Sequence, residues 1–147
     1  MTAESPTSAE AVRKFMAKEF PGVPRLGYAT VDVRDVAAAH IAAMTSPEAA
    51  GERFCCAGEH TWMEDIVEVI NRNFADRGYK AATRRLPNFV VKGVALFDKV
   101  TRQVVAELDQ RQDIDTSKIR NVLGWKSRGL EEMVVDMGES LIAHGLV

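Results

Sequence analysis

No apolar run in the sequence approaches the roughly 20 residues that a membrane-spanning helix needs. The N-terminal Met1-Thr-Ala-Glu-Ser-Pro6 lacks both the basic start and the apolar stretch of a secretory signal. Both absences point to a cytoplasmic protein. Neither sign of charge dominates, with 19 basic and 21 acidic residues and a net charge of −2, so no field argues for nucleic acid or an anionic membrane. Cysteine is scarce: Cys55 and Cys56 are neighbours and make no disulfide framework. In a strand they point to opposite faces, and both are expected as core residues and not as a redox pair. His40, His60 and His144 have no second histidine or cysteine at metal-ligand spacing. Gly-x-Ser-x-Gly does not occur, so a hydrolase elbow has no support.

Nucleotide-binding loops need glycines at set spacings so that main chain can approach phosphate closely. The ten glycines stand at 22, 27, 51, 58, 78, 93, 124, 129, 138 and 145, and no two are two or three positions apart. Gly-x-Gly-x-x-Gly therefore cannot be drawn. The pairs 22/27 and 124/129 have a P-loop interval, but Tyr28 and Leu130 stand where its lysine is required.

What is present suits one globular domain spanning 1–147, with residues 1–7 expected to be disordered. At 147 residues and 46% hydrophobic content, the chain is long enough to bury a core without disulfide or metal. Thr7-Ser8-Ala9-Glu10 is a capping-box pattern leading Val12, Phe15, Met16 and Phe20 at helical spacing, with Pro21 and Gly22 as the stop. Residues 28–33 alternate and are β-branched, which predicts a strand. An Ala-rich helix follows over 36–44, with Asp35 as its expected N-cap and Ser46-Pro47 as its end. Residues 51–57 predict a largely buried strand, and Thr61-Trp-Met-Glu64 a second capping box. The next helix carries Met63, Ile66, Val67, Ile70 and Phe74 on one stripe, closed by Gly78.

Strand, helix, strand, helix is an α/β rhythm. Beyond a short expected strand at 79–83 the chain turns helical, with Pro87 at the first helical position and a break near Asp98. A short helix, a Leu-Gly-Trp turn at 123–125 and a last amphipathic helix complete it.

Carboxylate pairs such as Glu64-Asp65 and Glu131-Glu132 sit in predicted first turns, where they suit the helix dipole better than acid/base catalysis. The basic residues Lys80, Arg84, Arg85, Lys118, Arg120, Lys126 and Arg128 have no interleaved aromatics and read as solvated faces. Arg84 and Arg85 are the two that could address an anionic ligand.

Three segments, taken in order, resemble one family: Val31-Asp-Val-Arg-Asp-Val-Ala37 opening the Ala-rich helix, Gly51-Glu-Arg-Phe54, and Asp115-Thr-Ser-Lys-Ile-Arg-Asn-Val-Leu-Gly-Trp125. They look like the C-terminal part of extended short-chain dehydrogenases/reductases, the NAD-dependent epimerase/dehydratase superfamily. Phe-Pro-Gly-Val-Pro at 20–24 and Thr-Arg-Arg-Leu-Pro at 83–87 place the resemblance nearest the dihydroflavonol-reductase or aldehyde-reductase branch, from about Ser8 to Leu146.

The resemblance implies an α/β chain, namely the last, short strands of a doubly wound Rossmann-like sheet plus a mainly helical substrate lobe. It also implies that the family's glycine-rich turn, catalytic serine and Tyr-x-x-x-Lys pair belong to an earlier stretch. Here Tyr28 and Tyr79 are followed four residues on by Asp32 and Thr83. Hydride transfer requires a held cofactor and a tyrosine acid tuned by lysine, so no catalytic, cofactor-binding or metal-binding residue is expected in this chain. The family's cofactor is NAD(P); this chain alone is expected to bind none.

What remains for the lobe is a wall of a substrate pocket, for which Arg85, Pro87, Phe89 and Phe97 are the candidates. Asp115 or Ser117 is expected to cap the short helix, with Trp125 packing beneath it.

The expected function is a truncated or split reductase, inert alone. The alternatives are a non-catalytic interaction module, or one half of an enzyme completed by a separate N-terminal chain. Expected partners are a second copy or that complementary half. A small-molecule substrate would enter only a completed enzyme.

Overall fold

The computed structural model describes residues 7–147, so the expectation for 1–7 falls outside it except at Thr7. The described chain is mainly helical, with one small two-stranded sheet. The described residues divide into two compact units, 7–27, 62–110 and 130–147 forming one and 28–61 and 111–129 the other. No described helix is long and apolar enough to cross a membrane.

The first unit contains α1 (Thr7–Met16), α3 (Met63–Phe74), α4 (Asn88–Val94), α5 (Lys99–Val104) and α7 (Leu130–Ala143). Its core is an apolar cluster in which Phe15, Met16, Val67, Ile70 and Phe74 are almost wholly buried, with Val134 and Leu141 from α7. The α3 stripe follows the predicted spacing, with Val69 added to the buried set. Gly138 lets α7 close on α3: a Cβ there would stand 2.7 Å from the Phe74 ring. α1 ends at Met16, short of Pro21, because Lys18 takes a left-handed turn (φ 61°). Phe20 thus lies outside the helix and packs on Phe15, ring centroids 4.9 Å apart.

Several boundaries differ from expectation by a residue or more. The second capping box is shifted: Trp62 is the N-cap of α3, and its N–H donates to the Asp65 carboxylate at 2.9 Å. The strand expected at 79–83 does not form. Asn71 satisfies the main chain there instead, its Oδ1 accepting from Ala81 N–H (2.7 Å) and its Nδ2 donating to Ala81 O (3.1 Å). Beyond it, Val23 and Arg85 form an isolated parallel bridge. Pro87 is the N-cap of α4 and not its first residue. The break at Asp98 is real, and that residue caps α5 by accepting the Thr101 N–H. Gly78 is left-handed (φ 96°), closing the 3-10 turn Ala75–Arg77 after α3.

The second unit contains α2 (Val33–Thr45), α6 (Ser117–Leu123) and most of β1 (Gly27–Ala29) and β2 (His60–Trp62), which pair. Asp32, not Asp35, caps α2: its carboxylate accepts the Arg34 N–H at 2.8 Å. Asp35 is instead a buried charge, 4% exposed, held by Arg128 through both its main-chain N–H (2.7 Å) and its guanidinium. The carbonyl of the same residue accepts the Trp125 indole N–H at 2.8 Å. Trp125 packs with Ala39 and Ile119, beneath α6 as expected. The Asp115 carboxylate accepts the Ser117 N–H (2.8 Å) at the start of that helix, and Gly124 closes it in the left-handed region.

The buried strand expected over 51–57 is absent. Residues 52–59 carry no regular structure, Cys55 is exposed and Cys56 half-buried. A strand requires a neighbour's main chain, and among the described residues the first such bond here is Gly58 N–H to Thr30 O, at 2.8 Å.

Candidate functional site

The four residues singled out for a pocket wall all lie in the first unit, at or near the two helices α4 and α5. Phe89 occupies the first turn of α4 and is 75% exposed; Phe97, in the link to α5, is 92% exposed. Val94 and Leu96 beside them are also open, so this hairpin presents an apolar surface to water. Its inner side is anchored by Val91 and Ala95, both buried. Arg102 ties the turn by donating to the carbonyls of Ala95 and Leu96, each at 3.0 Å. Pro87 leads the chain into α4, and its carbonyl accepts from Val90 N–H at 2.9 Å.

Arg85 stands apart in character. Its guanidinium pairs with Asp109 (3.2 Å) and approaches Glu64 (3.6 Å). Glu64 also takes Arg25, whose guanidinium lies 3.7 Å over the Trp62 ring, and Asp109 also takes the Asn88 side-chain amide. Asp109 is held left-handed (φ 60°), with its N–H on Arg25 O at 2.9 Å. Two arginines thus face two carboxylates, and the cluster is neutral. It fixes the entry to α4 from the start of α3 and leaves no cation in excess for an anionic ligand. Arg25, Glu64, Asn88 and Asp109 were not legible as a set, since the bonds join positions 21 to 39 residues apart. The sole local signal was an aspartate in a polar stretch, a residue type that tolerates the left-handed region.

Among the described residues, two cavities have linings that include none of the four candidates. A groove of about 300 Å³ in this unit runs along α3 and is lined by Val23, Glu64, Val67, Glu68, Asn71 and Thr83. An open depression of about 550 Å³ in the second unit is lined by Glu48, Glu52, Lys118, Asn121 and Val122, with Lys118 paired to Glu52. His40 and His144 are held within their own helices, Nδ1 lying 2.8 Å from Val36 O and 2.8 Å from Ser140 O, while His60 Nδ1 accepts the N–H of the distant Gln112. Burial, and then the Asp35 carboxylate, push the Cys56 thiol above its ordinary pKa, which disfavours the thiolate. Among the described residues no group of acids, histidines and cysteines could hold a metal.

No protein-family model matches the chain. Relatives do. It is 26% identical over 141 residues to the NADPH-dependent methylglyoxal reductase of Saccharomyces cerevisiae and 29% identical over 139 residues to a ketoreductase of Aspergillus niger. Each match takes in 92% of this chain and 36% of the relative. Gre2 from Candida albicans, solved in complex with NADPH, superposes with a TM-score of 0.70 at 26% identity, over 97% of this chain and 38% of that one. The fold is that of the C-terminal part of an extended short-chain dehydrogenase/reductase. This chain spans little more than a third of the relatives it matches.

The Candida structure holds NADPH, a phosphate-bearing cofactor. Phosphate binding of this kind uses glycines whose missing Cβ makes room for the ligand. Here the two tight loop glycines are filled by the chain itself, Gly22 against Arg84 O and Gly58 against Thr30 O. Gly51, Gly78, Gly124 and Gly145 are left-handed residues with open space at the Cβ position.

The motifs that carried the resemblance turn out to be architectural. Asp35 of the first segment meets Trp125 of the third, with Arg128 closing the contact. Glu52 of the second pairs with Lys118 of the third.

Proposed function

We propose that this chain is the substrate side of an NADPH-dependent carbonyl reductase, inert without the part that binds cofactor and performs hydride transfer. The observation that carries this reading is the mismatch of coverage: 92% of this chain aligns, yet with 36% of an NADPH-dependent relative. The missing glycine cradle and the two tyrosines without a lysine four residues on agree with it. In this reading Pro87, Phe89 and Phe97 form the apolar wall of a pocket for a small carbonyl compound, and Arg85 borders it, held by Glu64 and Asp109. The protein works in the cytoplasm, without nucleic acid or membrane as partner.

NADPH titration tests the proposal directly. Added cofactor should leave both the melting temperature and the fluorescence of Trp62 and Trp125 unchanged. Saturable binding at micromolar concentration would overturn it.

A second reading, a non-catalytic interaction module, is favoured by the large apolar side chains left in water, Phe97 and Met44 above all. It predicts a partner whose binding is indifferent to carbonyl compounds.

A further inference from the structure

Arg85 is the one cation among the four pocket candidates, and its neighbours decide what that charge does. Its guanidinium lies 3.2 Å from Asp109 and 3.6 Å from Glu64. Glu64 also takes Arg25, so two arginines meet two carboxylates and the cluster carries no net charge. Asp109 holds the side-chain amide of Asn88 as well, which fixes the cluster at the start of α4, one residue before the exposed Phe89.

Both carboxylates are held by main chain far apart in sequence. Glu64 belongs to the first turn of α3, and Asp109 sits in the left-handed region (φ 60°) with its N–H on Arg25 O at 2.9 Å. A free arginine forks onto a carboxylate or phosphate through two parallel N–H bonds. Arg85, already opposite two carboxylates, brings no net charge to offset the water that an incoming anion sheds.

We propose that Glu64 and Asp109 set the charge selectivity of the pocket: by neutralising Arg85 at its border, they favour uncharged carbonyl compounds over those that carry a carboxylate. The inference rests on the function proposed above, in which Arg85 borders that pocket. Asp109→Asn isolates the charge. Asparagine tolerates the left-handed region and keeps an oxygen for Arg85 and Asn88, so the geometry stays while the cluster becomes cationic. Glu64→Gln makes the same change of charge from α3.

The test titrates the 147-residue chain at low ionic strength with phenylacetone and with phenylpyruvate, which share a benzyl ketone and differ by methyl against carboxylate. NMR resonances of Arg85, Asn88 and Phe89 report binding. Wild type should bind phenylacetone roughly threefold more tightly than phenylpyruvate. Asp109→Asn should tighten phenylpyruvate roughly fivefold, leave phenylacetone unchanged, and lose most of its gain in about 0.5 M salt. Glu64→Gln should act in the same direction, and it carries the test where Asp109→Asn lowers the melting temperature. Lys92, exposed one turn along α4 from Phe89, is the other cation within reach. Selectivity that neither variant changes, or a gain that Lys92→Met removes, would overturn the inference and spare the proposed function. Probes that leave Arg85 and Phe89 undisturbed in wild type and both variants would overturn both.

Discussion

The two units are held together by different physics. In the first, α1, α3 and α7 bury Phe15, Met16, Ile70 and Phe74 to 2% exposure or less, and stability there is area removed from water. In the second, the buried apolar cluster is Ala39, Ile119 and Trp125 with Val31, Phe54, Cys56 and Leu123 packed against it, and it is joined by polar contacts: the Asp35–Arg128 pair and the indole bond to Asp35 O. An apolar core degrades in proportion to the atoms removed. A buried ion pair fails abruptly, since losing one partner strands the other charge in a medium that cannot solvate it. The unit with the smaller buried cluster is also the one with the unpaired strand-forming segment 53–57, and its dependence on a buried charge fits a unit with little core.

Four substitutions break or sharpen that contrast. The largest expected effect is Phe74→Ala, about 4 kcal/mol from lost burial and the cavity left behind; chemical denaturation should show the first unit unfolding much earlier. Next, Arg128→Met should cost about 3 kcal/mol, the low end for breaking a buried pair because the main-chain N–H of residue 128 still reaches Asp35. Its signature is local: hydrogen exchange should quicken in α2 and α6 while α3 and α7 keep their protection. Gly138→Val should cost about 2 kcal/mol by overpacking against Phe74, read as a lower melting temperature.

The smallest is Asp32→Ala, about 1 kcal/mol for a lost N-cap. The Arg34 side chain, then its main-chain N–H, hold the Asp32 carboxyl at a pKa of about 2 against an ordinary 3.8. A depressed carboxyl stabilises the fold above its unfolded pKa, so wild type should lose this contribution as pH falls from about 4 through 2. The Asp32→Ala variant should show no such loss in that window, measured by melting temperature against pH.

Much of the fold was legible because its signals are local. The α3 stripe, the break at Asp98 and the closing turns at Gly78 and Gly124 all follow from residues within a few positions of each other. Errors came where two local readings competed. Asp32 and Asp35 are both plausible caps, and what separates them is Arg128, 93 residues from Asp35. Residues 53–57 have strand composition, but a strand is a property of a pair. The segment 79–83 failed for a related reason, since the Asn71 amide supplied the pairing that a neighbouring strand would have given. The four pocket candidates were legible as residue types. That Arg85 is neutralised by Glu64 and Asp109, while Phe89 and Phe97 stand open, required the three-dimensional arrangement.

By itself the sequence determined where most helices run and which glycine and tyrosine motifs do not occur in it, because periodicity, caps and glycine spacing depend on neighbours along the chain. Tertiary structure decided which charges are spent on each other, which apolar faces find a partner and which strand-forming segment stays unpaired. Those outcomes depend on residues tens of positions apart, and burial and pairing exist only once those residues meet.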